Sequence, residues 1–537
     1  MSGKKKNVVT LIVLCALLVV CLVLYFVIPR NTGEKEDNTA DTTEEQSDSE
    51  SISLDSIATN QIKSVTVTKK KKKVWSLKKK NKSWSLVGKE AAPVNEETVS
   101  SILENVKPVT ATQKFENQSG DLSLYGLDKP ELTISIVTTD GATYHYEIGS
   151  EVPKSDMGYY GKCSGRDEIY CLNSAFIKAF DVSEISLVKM DELPEIEEGY
   201  MTALAVKNKK GKDFAAKKVS DAEKVDFYSN WNITAPYAKP LATSQSEWST
   251  VLGYFTSLAY EEMVEYDSRN LQKYGLKNPQ AVISVNYYQA KKGYTPSATA
   301  TPDANALGNS SSESSYVIPE NKRDYKSLHL YVGKKTGDSY YVCEQGKKNV
   351  YKMSAGTVEN ITGLDAYTNM DHCVYSVLAT SIKGYDVTYG DTTLKVTRKS
   401  VPKDDSESAA TPEATPTATE NGTAVGNATD SSQKNIWTLN GKKISDDDER
   451  DFLSPYSLAY LLEYSGKAED NVKPKSEEPV LTIVYHEDKR DVTVKYLPYD
   501  GINFYRVEKN GMDYFLVDKL SVDDVIEKFK GIEKFAK

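Results

Sequence analysis

The chain has 537 residues, too many for one hydrophobic core, and its length alone suggests about three domains. A formal net charge of −10, with no basic helix and no aromatic–basic reading motif, excludes the nucleic-acid binders. Six cysteines are too few for a disulfide framework, and with only four histidines their spacings match no common zinc pattern.

The first element is apolar. Residues 1–30 read MSGKKKNVVTLIVLCALLVVCLVLYFVIPR, with an almost unbroken apolar run from Val8 to Ile28. About 21 residues at about 1.5 Å each span about 30 Å, the hydrocarbon thickness of a bilayer. A cleaved signal peptide would have a shorter core and small residues before its cut site, and no A-x-A precedes Arg30. No lipoprotein box is present, since Cys15 follows Leu14 and Cys21 follows Val20. The run predicts one transmembrane anchor. Lys4, Lys5 and Lys6 predict a cytoplasmic N-terminus, with the bulk of the chain outside the cytoplasm. Residues 31–53, acidic and Ser/Thr-rich without apolar periodicity, read as a disordered tether.

The next element is a lysine-loaded strand pair over residues 62–67 and 74–77. Lys69, Lys70, Lys71, Lys72 and Lys73, then Lys78, Lys79, Lys80 and Lys82, load this hairpin. They are candidate contacts for anionic lipid headgroups or wall polymer near the anchor. The competing reading is a solvated edge hairpin whose lysines discourage strand-to-strand aggregation. An amphipathic helix follows, with Asn95 as N-cap and Val99, Ile102, Leu103 and Val106 on one face. A strand meander and a second helix close the unit. Within it Cys163 and Cys171 flank the turn at residues 164–168 and are a candidate disulfide; otherwise they are two small residues on a strand pair.

That grammar repeats. YGLDKP at residues 125–130 returns as YGLKNP at 274–279, each before a strand, and Trp84-Ser85-Leu86 returns as Trp231-Asn232-Ile233, 147 positions on. Residues 144–149 (YHYEIG) parallel residues 328–333 (LHLYVG), and Tyr159-Tyr160 parallels Tyr340-Tyr341. A worn third copy carries Trp437-Thr438-Leu439 and a closing hairpin at Phe504-Tyr505, but lacks the YGL turn. Its last helix reads as capped by Ser521, with Val522, Val525, Ile526 and Phe529 inward. The predicted fold class is α+β: a transmembrane helix, then three tandem units with antiparallel or mixed sheets. The units are 54–190, 191–371 with a disordered insert at about 291–322, and 372–537 with another at about 403–434.

The chemistry is sparse. No G-x-S-x-G elbow, cysteine–histidine signature, P-loop, G-x-G-x-x-G or EF-hand spacing occurs. His145 and His329 hold equivalent positions, but Lys495 stands roughly there in the third copy, which favours a structural or surface role over paired ligands. Asp446-Asp447-Asp448-Glu449 read as the acidic first turn of a helix capped by Ser445 rather than a metal cluster. Trp84, Trp231 and Trp437, recurring at one point of the repeat, read as core residues rather than a ligand groove. No enzyme, cofactor or metal site is expected.

On the Trp-x-Leu strand, the helix after it, the YGL-x-x-P turn, the H-x-x-x-G strand end and the Tyr-Tyr hairpin, the chain resembles the bacterial domain of unknown function numbered 4340. The resemblance covers about residues 54–370 as two copies, with a degenerate third. It implies a single-span protein with extracytoplasmic repeats, found beside ABC-type transport components similar to gliding-motility auxiliary proteins. The expected partners are therefore the membrane and an ABC permease and ATPase, for which the chain would be a non-catalytic accessory or scaffold. The alternative is a cell-envelope protein binding anionic wall polymer or lipid through the lysine hairpin. A hydrolase with an unrecognised site ranks last.

Overall fold

The computed structural model describes residues 51–116, 120–153, 158–226, 228–295, 318–402, 433–469 and 476–536. The predicted span, residues 1–30, lies outside the described residues, as do residues 31–50 and most of both predicted inserts. Among the described residues no helix is long and apolar enough to cross a membrane.

The first unit contains β1 (Ile52–Asp55), β2 (Ile62–Lys69), β3 (Lys72–Lys80) and β4 (Ser83–Leu86). Helix α1 (Glu96–Glu104) follows, then β5 (Val109–Phe115), β6 (Leu132–Thr138), β7 (Thr143–Glu151), β8 (Tyr159–Cys163), β9 (Ile169–Leu172) and α2 (Ser174–Phe180). Strand β1 takes in Ile52 and Ser53, so the ordered fold starts earlier than the predicted tether end at residue 53.

The second unit has β10 (Met201–Asn208), β11 (Phe214–Lys218), β12 (Trp231–Ala235), β13 (Leu241–Ala242), α3 (Trp248–Thr256) and β14 (Glu262–Glu265). It continues with β15 (Ala281–Ala290), β16 (Arg323–Thr336), β17 (Ser339–Glu344), β18 (Val350–Ser354), α4 (Ala355–Thr362) and α5 (Ala366–Asn369).

The third has β19 (Gly384–Tyr389), β20 (Thr392–Pro402), β21 (Gln433–Leu439), β22 (Lys442–Lys443), α6 (Glu449–Tyr460) and β23 (Gly466–Lys467). It ends with β24 (Leu481–His486), β25 (Asp491–Pro498), β26 (Phe504–Lys509), β27 (Met512–Asp518) and α7 (Lys519–Ile532).

The fold is α+β, built on three antiparallel nine-stranded sheets. Their orders are β1-β5-β9-β8-β7-β6-β2-β3-β4, β13-β12-β11-β10-β15-β16-β17-β18-β14 and β22-β21-β20-β19-β24-β25-β26-β27-β23. The second and third are identical position by position. The first, read from β4, repeats eight of those positions and exchanges the ninth for β1 on the opposite edge. Each sheet joins two meanders at one central seam: β2–β6, β10–β15 and β19–β24.

Two helices pack together in each unit. Alternation buries every second residue of the strands, as in β6 with Leu132, Ile134 and Ile136 inward and Thr133 and Ser135 less buried. The recurring tryptophans occupy the same strand position, on β4, β12 and β21, at 9%, 5% and 2% exposure. They are core residues: Trp231 lies 5.6 Å from Trp248 on α3, and Trp437 donates from Nε1 to Glu449 of α6 at 2.9 Å. One apolar cluster runs through all three units.

The YGL turn recurs with the strand-end glycine because the two touch. A Cβ on Gly149 would stand 2.0 Å from the Tyr125 carbonyl oxygen, and one on Gly333 2.2 Å from that of Tyr274. Gly126 and Gly275 adopt φ of +69° and +78°, a conformation that glycine takes without Cβ strain. In the third sheet the position after Tyr496, the partner of Leu481, is Leu497. The copy that lost the turn also lost the glycine.

Local details depart from expectation. Asn95 caps α1 as predicted, accepting from the Thr98 N–H at 3.1 Å. Helix α7 starts at Lys519, capped by Asp518 rather than Ser521, and α6 starts at Glu449 with Asp448 as N-cap, Ser445 heading the preceding turn. The residue equivalent to His145 and His329 is Thr493, not Lys495, since Ser135 pairs His145, Ser284 pairs His329 and Val484 pairs Thr493.

Candidate functional site

The lysines form two patches rather than one. Lys70 and Lys71, at φ of 47° and 62°, make the two-residue turn from β2 to β3; Asn81 and Lys82 make the next. Lys69 to Lys73 therefore lie at one end of β3 and Lys78 to Lys82 at the other, the strand between Lys72 and Lys80 being about 26 Å long at about 3.3 Å per residue. Lys69 pairs with Asp181 at 2.7 Å and Lys70 with Glu131 at 3.4 Å, and Lys79 stands 5.3 Å from the Trp84 ring centroid. Its hydrogen bond to Asp181 raises the Lys69 pKa above its ordinary value. Among the described residues, no carboxylate lies within ion-pair distance of Lys71, Lys72, Lys73, Lys78 or Lys80. Strand β3 neighbours the edge strand β4, seven strand spacings from β1, or about 34 Å at about 4.8 Å each. The patch is thus a sheet-width from β1, the first described strand, not beside it.

The strand register favours the reading of Cys163 and Cys171 as two small residues on a strand pair over the candidate disulfide. In the β8–β9 ladder Lys162 pairs with Ile169 and Tyr160 with Cys171, which offsets the cysteines by three positions. An odd offset puts them on opposite faces, and about 10 Å of strand separates them. Cys163 is a free, buried thiol, and burial pushes it up to about 12. Alkylation in denaturant without reductant should therefore label both residues, while Cys163 stays unlabelled in the native chain. A native-state bond surviving to the mass spectrum would contradict this register.

The histidines are strand residues: His145 Nδ1 and Ser135 Oγ lie 2.8 Å apart, His329 Nδ1 and Ser284 Oγ 2.9 Å. Among the described residues no group of three or more His, Cys, Asp or Glu is arranged to hold a metal ion.

The most unusual chemistry lies at the junctions, where sequence reasoning placed nothing. At the first residue of the second unit, Asp191 accepts from Tyr351 Oη at 2.7 Å and Asn349 Nδ2 at 3.1 Å, and the Tyr351 hydrogen bond holds its carboxyl below the usual range. Between the second and third units, a cavity of about 20 Å³, room for about one water, is lined by Asp226, Asp371, Cys373, Tyr464, Lys509 and Phe515, among others. Asp226 is 8% exposed; its Oδ1 accepts from the backbone N–H of Ser229 at 2.7 Å and of Tyr228 at 3.1 Å, while its Oδ2 is buried with no partner among the described residues. Burial raises the Asp226 carboxyl above its ordinary range and pulls the Lys509 ammonium below its own. Burial, then the Asp371 charge, pushes the Cys373 thiol up to about 12. Asp226, Asp371 and Lys509 each stand over a hundred positions apart in sequence and share no motif. One signal was present: Met190-Asp191 returns as Met370-Asp371, after the closing helices of the first and second units.

Three sheets of matching order on one chain define a tandem-repeat α+β protein. A family profile described as "Domain of unknown function (DUF4340)" matches residues 84–279 and again 231–430, together more than half of the chain. The chain belongs to that family. Each match begins on a repeat tryptophan, Trp84 or Trp231, and the two overlap up to Pro279. No curated protein and no solved structure matches the chain.

Proposed function

We propose that the chain is a membrane-anchored, extracytoplasmic, non-catalytic scaffold that serves an ABC-type transport complex. The observation that carries this reading is the threefold use of one sheet order with an apolar cluster running through all units. Such a body offers repeated faces in a fixed relation, which suits holding partner subunits. The apolar run at residues 8–28 supplies the anchor, and the lysines before it orient the units outward. Crosslinking in intact cells followed by solubilisation and mass spectrometry tests the proposal. Recovery of an ABC permease and ATPase above an unrelated single-span control supports it; recovery of neither defeats it.

A second reading has its own observation, the lysines at both ends of β3 that lack carboxylate partners among the described residues. They would bind anionic wall polymer or lipid, as a solvated charge patch screened by salt. Binding to anionic vesicles should then fall several-fold between low and physiological salt, and replacing Lys69 to Lys73 with serine should abolish most of it. Salt-independent binding, or none, leaves the lysines as edge protection.

A further inference from the structure

We propose that residues 224–226 form a proton-operated latch between the second and third units, closed when the Asp226–Asp371–Lys509 cluster takes up one proton. The inference is independent of the scaffold reading and concerns only how two units hold each other.

The geometry has two parts. The first is a strap that pH does not alter. Arg490, in the turn between β24 and β25, donates from Nη1 to the Lys224 carbonyl at 2.7 Å and from Nη2 to that of Val225 at 3.2 Å. Its Nε donates to Glu487 at 2.9 Å, and a guanidinium stays charged throughout the accessible range. The second is the Asp226 carboxylate, carried by the strapped segment into the junction cavity. One oxygen is held by two backbone N–H groups; the other is buried with no partner among the described residues. The Tyr464 hydroxyl, on the same cavity, is also buried without a partner among the described residues.

An ionised carboxylate there carries a burial cost that its single satisfied oxygen does not offset. Protonation removes the charge and with it that burial cost. The groups facing Asp226 are Lys509 from the third unit, Asp371 and Cys373 from the connecting segment, and Tyr228 from its own loop. Glu487 and Arg490 act on Lys509, and Glu463 and Tyr460 on the Asp371–Cys373 side.

The sign follows from linkage. The Asp226 pKa is raised in the closed form, so protonation favours that form, and closure strengthens as pH falls toward the ordinary aspartate range. The Lys509 pKa is lowered there, so closure gains again at alkaline pH as the ammonium loses its proton. The latch is loosest between the two.

Hydrogen–deuterium exchange on the full chain, corrected for intrinsic rates, tests this at about pH 5.5 and about pH 8. Protection of the peptides covering residues 224–226 and Lys509 should be higher at the acid end than at the alkaline one. In Asp226→Asn, protection should stay high at both values. In Lys509→Met, which removes the ammonium that opposes protonation, the change should move to higher pH. Equal wild-type protection at both values, a change of opposite sign, or an Asp226→Asn chain that keeps the wild-type pH dependence overturns the latch. Should Asp226→Asn fail to fold, the direction of the Lys509→Met shift decides.

Discussion

Gly333→Ala should destabilise the second unit by about 3 kcal/mol, read as a lowered urea midpoint at unchanged slope. The methyl group would be built 2.2 Å from the Tyr274 carbonyl oxygen, well inside contact distance. That oxygen also accepts from the Lys334 N–H at 2.8 Å, so it cannot retreat without losing a buried hydrogen bond. The obstacle is backbone, not a side chain that can change rotamer. Gly149→Ala should do the same in the first unit, where the separation is 2.0 Å. Gly253→Ala is the contrast: inside α3 with nothing within 4 Å, it should stabilise by about 0.5–1 kcal/mol through helix propensity. A Gly333→Ala chain with the wild-type midpoint would remove the turn–glycine contact as the reason for the repeated motif.

Trp437→Ala should cost about 3–5 kcal/mol, the usual range for a fully buried indole. The ring is 2% exposed and lies 6.4 Å from Phe452, so truncation opens a void between β21 and α6. It also leaves Glu449 without its indole N–H donor. Because the apolar cluster crosses the units, the loss should lower the thermal midpoint of the whole described fold rather than split off a separate transition. Calorimetry resolving an early third-unit transition would show instead that the units melt independently.

Much of this architecture was legible in the sequence wherever one short segment carries the information. The Trp-x-Leu strand, the Asn95 cap and the YGL turn are local, and comparing copies at one period turned them into a repeat. The missing YGL signature in the third copy was visible too, although its cause, Leu497 in place of a glycine, needed the pairing register. Helix starts slipped where several capping residues stand close together: Asp518 and Ser521 both suit the role, and only backbone geometry selects between them. The choice between the two readings of Cys163 and Cys171 needed the ladder register, which puts them on opposite faces and which the turn sequence alone does not give. The junction cluster was out of reach, since Asp226, Asp371 and Lys509 meet only through tertiary packing.

The central seam of each sheet has a practical corollary for anyone dissecting the protein. The family matches begin at Trp84 and Trp231, yet the strands that complete the same sheets, β2 and β10, lie upstream. A fragment cut as 84–279 would keep β6 without β2 and β10 without β15, exposing two long strand edges at once. The unit that recurs in evolution's bookkeeping is thus out of phase with the unit that can close its own sheet. Expression fragments should be cut between sheets, near residues 190 and 371, rather than at the borders of the family match.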